Sequence, residues 1–111
     1  MLSRDLRLSA VSIPQLLRRG MRVHTETIDF LFQKHPSEKR FACIVSAKVE
    51  KLAVGRNRTK RLVAHALYAL IPSMTGGVHG VVVVRRKLSL DQTEVTALLT
   101  VILQTAHIVP S

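Results

Sequence analysis

From residue 24 to 33 the sequence takes on the period of two of a β-strand, and Asp29, Leu31 and Gln33 share one of its faces. The apolar face carries Ile28, Phe30 and Phe32. After a polar turn at 35–39, the apolar run 41–46 predicts a second strand, and we expect these two strands to pair as an antiparallel hairpin. The β-branched run 80–84 predicts a further strand that is central in the sheet and buried on both faces.

The first helix is expected to begin at Ser12, where Ser12 and Gln15 match a capping box, and to end at Gly20. Its leucines, Leu16 and Leu17, are expected to face the core. A second helix runs from about residue 54 or 56 to 71.

The second helix has a core side and a cationic side at 100° per residue. The core side is predicted to hold Leu62, Val63, Ala66, Leu67, Ala69 and Leu70. The open side holds Asn57, Lys60, Arg61, His65 and Tyr68, with Arg56 and Arg58 at its borders.

A third helix follows a capping box formed by Ser89 and Gln92 and packs one apolar stripe. The stripe comprises Val95, Leu98, Leu99, Ile102, Leu103 and Ala106. The order helix, two or three strands, helix, strand, helix predicts one α+β domain over residues 1–111, a sandwich of a small central β-sheet with helices. If the strands flanking the second helix are parallel neighbours, the general rule favours a right-handed crossover.

The net charge of the chain indicates which class of molecule it binds. Seventeen Lys and Arg residues against seven Asp and Glu give a net charge of +10, while 47% of residues are apolar. The apolar content excludes a disordered basic tail, and the charge favours a polyanionic partner. The lone Cys43, and the lack of a signal peptide or of an apolar run long enough to span a bilayer, predict a cytoplasmic protein without a membrane partner.

The strongest motif is Arg56-Asn57-Arg58-Thr59-Lys60-Arg61, which has four cations and no acid. No acidic residue lies between Lys51 and Leu90, so this face lacks the mixed charges of an ordinary solvated helix. A nucleic acid is therefore the expected ligand. The seven acids are scattered and the five histidines show no ligand spacing, so we expect neither catalytic residues nor a protein-only metal site.

Three stretches, 40–48, 56–62 and 77–85, resemble the bacterial ribonuclease P protein subunit in motif, order and spacing. The resemblance implies a protein that assists a catalytic RNA, whose magnesium-dependent hydrolysis removes the 5′ leader of precursor tRNA. It implies that Mg²⁺ is held through the RNA subunit and its phosphates, and that the partners are ribonuclease P RNA and precursor tRNA. It also implies a left-handed βαβ crossover, against the general rule. The free protein is expected to be a monomer.

The resemblance also suggests site residues. The RNA-binding set is Arg56, Asn57, Arg58, Lys60 and Arg61, extended by Lys48 and Lys51. A leader cleft between the first helix and the sheet is expected to use Ile13, Leu16 and Leu17, where the family usually has aromatic residues. Phe30, Phe32 and Phe41 either line that cleft or fill the core. Further RNA contacts, with a solvated surface as the alternative, are Arg18, Arg19, Arg22, His65, Tyr68, Arg85 and Arg86.

Three rival functions remain open from the sequence. A ribosomal-protein-like RNA binder or RNA chaperone, and a DNA-binding module, would share the charge and the small α+β core. An RNA-independent nuclease is the enzymatic alternative.

Overall fold

The computed structural model describes residues 2–88 and 91–110. These residues form three helices and four strands, with two short 3₁₀ turns, Arg4–Leu6 and Ile71–Ser73. In chain order the main elements are α1 (Ser12–Arg19), β1 (Met21–His24), β2 (Ile28–His35), β3 (Lys39–Val45), α2 (Ala53–Leu70), β4 (Gly77–Val84) and α3 (Gln92–Thr105). The predicted α+β class is confirmed, and the segment predicted as one strand from residue 24 contains the end of β1 and most of β2.

The sheet has the strand order β1-β2-β4-β3, so the predicted hairpin between β2 and β3 is wrong. The central strand β4 lies between them, antiparallel to β2 and parallel to β3. Its first residues pass close to the short 36–38 connection, where the amide of Val78 donates to the carbonyl oxygen of Glu38 at 2.7 Å. Gly77 permits this approach, because a Cβ there would collide with the Glu38 backbone.

Different helices pack against the two faces of the sheet. On one face α2 and α3 cover the main core, where Phe30, Phe41 and Val82 are fully buried. On the other face α1 and the N-terminal segment cover a smaller cluster formed by Leu8, Leu16 and Val81. Even-numbered residues of β2 point into the main core and odd-numbered ones toward the α1 side, as expected from a period of two.

The first helix differs in detail from its prediction. Its N-cap is Val11, without a side-chain hydrogen bond, and the Ser12 hydroxyl instead lies 2.9 Å from that of Ser9. The predicted capping box is therefore wrong. Leu16 is buried, but Leu17 is 42% exposed, so only one of the two leucines serves the core.

The third helix is capped by Asp91, whose carboxylate accepts the amide of Glu94 at 2.9 Å. The predicted cap at Ser89 lies outside the described residues. Five of the six predicted stripe residues are buried, namely Val95, Leu99, Ile102 and Leu103 within the helix and Ala106 at its C-cap. A glutamine at the start of α3 ties it to α2, because Gln92 Nε2 donates to the carbonyl of Leu62 at 2.9 Å.

The connection from β3 through α2 to β4 joins parallel neighbouring strands, so the predicted βαβ crossover is present. Its left-handedness stays a prediction of the resemblance. None of the helices in the described ranges is both long and apolar enough to cross a membrane.

Candidate RNA-binding surface

The outer side of α2 carries an exposed cationic surface. Helical spacing places the exposed residues Asn57, Arg58, Arg61, His65 and Tyr68 on one arc. The opposite arc is anchored in the core by Val63 and Leu67, and also by Thr59, which the sequence did not mark as a core residue. Ala69 is exposed, which corrects its predicted core placement.

The borders of this surface differ from the prediction. Arg58 is exposed, whereas Lys60 is half-buried and turns toward a groove beside β3. Within residues 2–88 and 91–110, no cation of α2 forms an ion pair. We therefore define the α2 basic face as Asn57, Arg58 and Arg61, whose polar groups are open to a ligand.

Arg56 has a different role from its neighbours in the motif. Its Nη1 donates to the carbonyl oxygens of Glu50, at 3.0 Å, and of Lys51, at 2.9 Å. The guanidinium thus holds the connection between β3 and α2. Arg56 therefore fixes the backbone of the exposed Lys51 next to the start of α2.

Tyr68 is also engaged within the protein. Its hydroxyl accepts the backbone amide of Ser3 at 2.6 Å, which ties the N-terminal segment to the C-terminal half of α2. His65 is exposed on the same arc, one turn closer to the basic face. Tyr68 therefore organises the N-terminus whether or not it also meets RNA.

A second basic cluster lies on the α1 side of the sheet, on the opposite face from α2. Asp29, with a side chain only 8% exposed, accepts Arg22 Nη2 at 2.5 Å and His24 Nδ1 at 2.6 Å. Arg85 Nη1 lies 3.6 Å from the same carboxylate. The two guanidinium groups are about half exposed and outnumber the carboxylate, so the cluster presents net positive charge.

The buried position of Asp29 opposes ionisation, but the hydrogen bonds from His24 and Arg22, and the charge of Arg22, outweigh this and lower its pKa. A lowered folded-state pKa stabilises the protein above the ordinary Asp pKa, and this contribution is lost as the pH falls through the folded-state value. Asp29→Asn should therefore cost about 1–3 kcal/mol in the free energy of unfolding at pH 7. The difference in free energy of unfolding between the variant and the wild type should shrink toward pH 2.5.

Urea unfolding of both proteins at the two pH values measures this difference. Asp5→Asn, which changes an exposed acid outside the sheet, is the matched control and should show little effect at either pH. A deficit for Asp29→Asn that stays constant from pH 7 to 2.5 would contradict an ionic role for Asp29.

The remaining predicted cations lie at the surface. Arg18 and Arg19 are exposed in the last turn of α1. Arg86 is paired with Glu26, at 3.1 Å between two largely exposed side chains, so its charge is partly balanced.

The aromatic residues proposed as alternatives for the leader cleft belong to the core. Phe30 and Phe41 are fully buried and Phe32 is 3% exposed, and the rings of Phe30 and Phe32 stack with centroids 5.3 Å apart. All three point to the α2 and α3 side, away from α1. Their packing role is confirmed, but Phe41 also borders the groove beside β3, and Ile13, Leu16 and Leu17 belong to α1.

A groove of about 440 Å³ separates the N-terminal segment and α1 from β3 and α2. Its apolar wall includes Leu8, Ile13 and Ala42, and its cationic groups are Arg7 and Lys60. The N-terminal segment forms one side by pairing with the edge strand β3, where the amide of Leu8 donates to the carbonyl of Phe41 at 2.9 Å. The groove therefore combines an apolar surface with two cations, of which Lys60 belongs to α2.

Cys43 also lines this groove. Burial raises the pKa of its thiol to about 12, and the nearby charge of Lys60 offsets this only in part. At pH 8 the folded protein should hold about one thiolate in ten thousand, so iodoacetamide should modify Cys43 roughly a thousandfold more slowly than in the unfolded chain. Mass spectrometry of the alkylated protein, with and without urea, measures both rates. Rates within tenfold of each other would contradict the raised pKa.

Sequence patterns identified the α2 basic face but not the groups that support it. The hydrogen bonds of Arg56 end on loop carbonyls, which carry no signature in the sequence. Asp29 could have been noticed as an acid on the polar face of a strand, but the antiparallel pairing that brings His24 opposite it was not predicted.

The family model named Ribonuclease P matches residues 2–107. The chain belongs to the ribonuclease P family. The Ribonuclease P protein component of Synechococcus elongatus is 34% identical over 83 residues, which cover 70% of this chain and 68% of the relative. That of Nostoc punctiforme is 39% identical over 61 residues, which cover 55% of this chain and 44% of the relative, so this match spans less than half of the relative's length.

Solved structures of ribonuclease P proteins share the fold. The RNase P protein from Thermotoga maritima is 25% identical, with a TM-score of 0.76 over 86% of this chain and 94% of that one. A Staphylococcus aureus RNase P protein superposes with a TM-score of 0.83 over 96% and 99% of the two chains. At 16% identity, this second likeness concerns the fold alone.

Proposed function

We propose that this chain is the protein subunit of a ribonuclease P ribonucleoprotein, in which it binds the catalytic RNA and assists removal of the 5′ leader from precursor tRNA. The observation that carries the proposal is the α2 basic face, where Asn57, Arg58 and Arg61 are exposed and, within residues 2–88 and 91–110, have no acidic partner. Arginine forks suit bidentate contacts with phosphate, and the asparagine amide can donate or accept at a sugar or base edge.

Contact with the leader is assigned to the α1 side. The groove between α1 and α2 offers an apolar wall at Ile13 with Arg7 and Lys60 as cations. Arg22 and Arg85, held by Asp29, add positive charge on the same side of the sheet. An RNA strand on this side would find apolar contact and charge, but the Phe41 ring that borders the groove is fully buried and is not open to stack on a base.

The cleavage chemistry is assigned to the RNA subunit. Magnesium prefers six oxygen ligands, and in the described residues the one close group of potential metal ligands supplies two imidazoles and a single carboxylate. That donor set does not fit Mg²⁺. We therefore propose that RNA phosphates hold the Mg²⁺ and that the protein binds and orients the RNA. We also propose that the protein is a monomer when free and acts in the cytoplasm.

Reconstitution tests this function. The chain is mixed with a bacterial ribonuclease P RNA at limiting Mg²⁺, and cleavage of precursor tRNA at the mature 5′ end is followed. Stimulation of cleavage at that site supports the proposal. Tight RNA binding without stimulation would instead indicate an RNA chaperone or a ribosomal-protein-like binder, and cleavage without added RNA would indicate a nuclease.

A further inference from the structure

Three potential metal ligands meet at the end of the sheet where β2 finishes and β4 begins. One ligand atom each from His35, Glu38 and His79 lies within 4.8 Å of the others, and all three residues are exposed to solvent only in part. The Nε2 atoms of His35 and His79 lie 3.5 Å and 3.0 Å from Glu38 Oε1.

The topology explains why the sequence did not reveal this group. In the antiparallel pairing of β2 with β4, His35 lies opposite Gly77 and His79 opposite Gln33. The two histidines are therefore diagonal neighbours on one face, and their rings stack with centroids 4.6 Å apart. Glu38 comes from the 36–38 connection, which the insertion of β4 brings against the start of that strand.

We propose that His35, Glu38 and His79 bind one divalent metal ion of the zinc class, with water completing the coordination. Imidazole nitrogen and a carboxylate oxygen are ligands that zinc accepts at about 2.0–2.2 Å, in sites with three protein ligands and a water. The present separations need only small side-chain movements to surround such an ion. This proposal does not depend on the RNA-binding function.

The two carboxylate oxygens of Glu38 have different neighbours. Oε1 faces the histidines, whereas Oε2 lies 3.4 Å from Arg40 Nη2. Arg40 thus leaves one oxygen for the ion and helps to hold the carboxylate in place, although its charge opposes binding of a cation. We expect an exchangeable ion with modest affinity rather than a permanently closed structural site.

His35 should be the weakest of the three ligands. Its Nδ1 accepts the backbone amides of Ser37 and Glu38 at 3.2 and 3.0 Å, so in the metal-free protein the proton of the neutral ring is on Nε2. Ligation through Nε2 moves that proton to Nδ1 and breaks both hydrogen bonds. Water can replace them because the 36–38 connection lies at the protein surface.

Calorimetric titration of the full, untagged chain with Zn²⁺ tests the site. The wild-type protein should bind one ion. His79→Asn and Glu38→Gln should each weaken binding by more than the roughly 10–100-fold typical of losing an outer-shell partner. His35→Asn should weaken it about tenfold, and its amide oxygen can still accept the Ser37 and Glu38 amides.

His107→Asn is the matched control. This exposed histidine is remote from the cluster in sequence and has a φ of 60°, a conformation that asparagine adopts readily. Zinc binding should be unchanged in this variant. Circular dichroism of each variant checks that it is folded.

Nuclear magnetic resonance of the wild-type protein tests the metal site without any substitution, so misfolding of a variant cannot affect the result. Zn²⁺ should shift the imidazole signals of His35 and His79 and leave those of His24, His65 and His107 in place. The proposal is overturned if the wild-type protein binds no ion, if Zn²⁺ shifts the other histidines instead, or if His35→Asn binds as tightly as the wild type.

Discussion

Replacing Arg58 and Arg61 together by alanine should weaken binding of a bacterial ribonuclease P RNA by roughly 100-fold, because each loses a contact to a charged group worth about 1.5 kcal/mol. The two side chains are exposed and lack ion pairs in the described structure, so their removal should not cost folding energy. Filter binding or fluorescence anisotropy at a fixed salt concentration measures the loss. Thermal unfolding should remain nearly unchanged.

The salt dependence separates this effect from a general loss of charge. If the five cations of the RNA-binding set outside the groove, Lys48, Lys51, Arg56, Arg58 and Arg61, each displace about 0.7–0.9 counterions, wild-type affinity should fall roughly 200-fold for a fourfold rise in salt. The double variant should fall only about 20- to 40-fold. Lys34→Gln with Lys39→Gln, which removes two charges at the other end of the sheet, should keep most of the affinity. Equal losses for the two double variants would contradict a local site on α2.

Gly80→Val should destabilise the protein by about 3 kcal/mol or more, although the position lies in a run of valines where a sequence pattern would tolerate it. A Cβ on Gly80 would lie 2.6 Å from Cε1 and Cζ of the Phe30 ring. That ring is fully buried and stacked on Phe32, so it has little room to move. Urea unfolding at neutral pH measures the change.

A smaller residue at position 30, next to Gly80, provides the control. Phe30→Leu removes the atoms that the new side chain would meet, and it should also cost stability alone because it leaves a cavity. When Phe30→Leu is combined with Gly80→Val, the loss in free energy of unfolding should be smaller than the sum of the two single losses by at least about 1 kcal/mol. Additive losses would show that the contact between the two residues does not cause the destabilisation.

Local patterns predicted most elements of this fold because each depends on neighbours in the chain. The valine run gave the central strand, and the helical spacing of α2 placed its core and cationic sides. The order of the strands was predicted wrongly, since a connection of only three residues normally joins a hairpin. The separation of β2 and β3 depends on β4, and on the backbone approach that Gly77 permits.

The same distinction applies to the candidate site. Arg58 and Arg61 could be predicted from their spacing on one helix. The hydrogen bonds of Arg56 to the loop, the cluster around Asp29 and the meeting of His35 with His79 depend on tertiary placement, so no local pattern reports them. Sequence therefore predicted the charge of the surface, and the structure shows which cations are free and which hold the protein together.

The insertion of β4 between β2 and β3 has a consequence for biosynthesis. As the chain leaves a ribosome, β2 and β3 emerge close together, but the strand that must separate them follows only after the whole of α2. Until then both strands have unpaired edges that could form the wrong hairpin or join another chain. We expect the sheet to close late, in a step dominated by contacts distant in sequence, so a nascent chain that ends before Gly77 should have no stable fold.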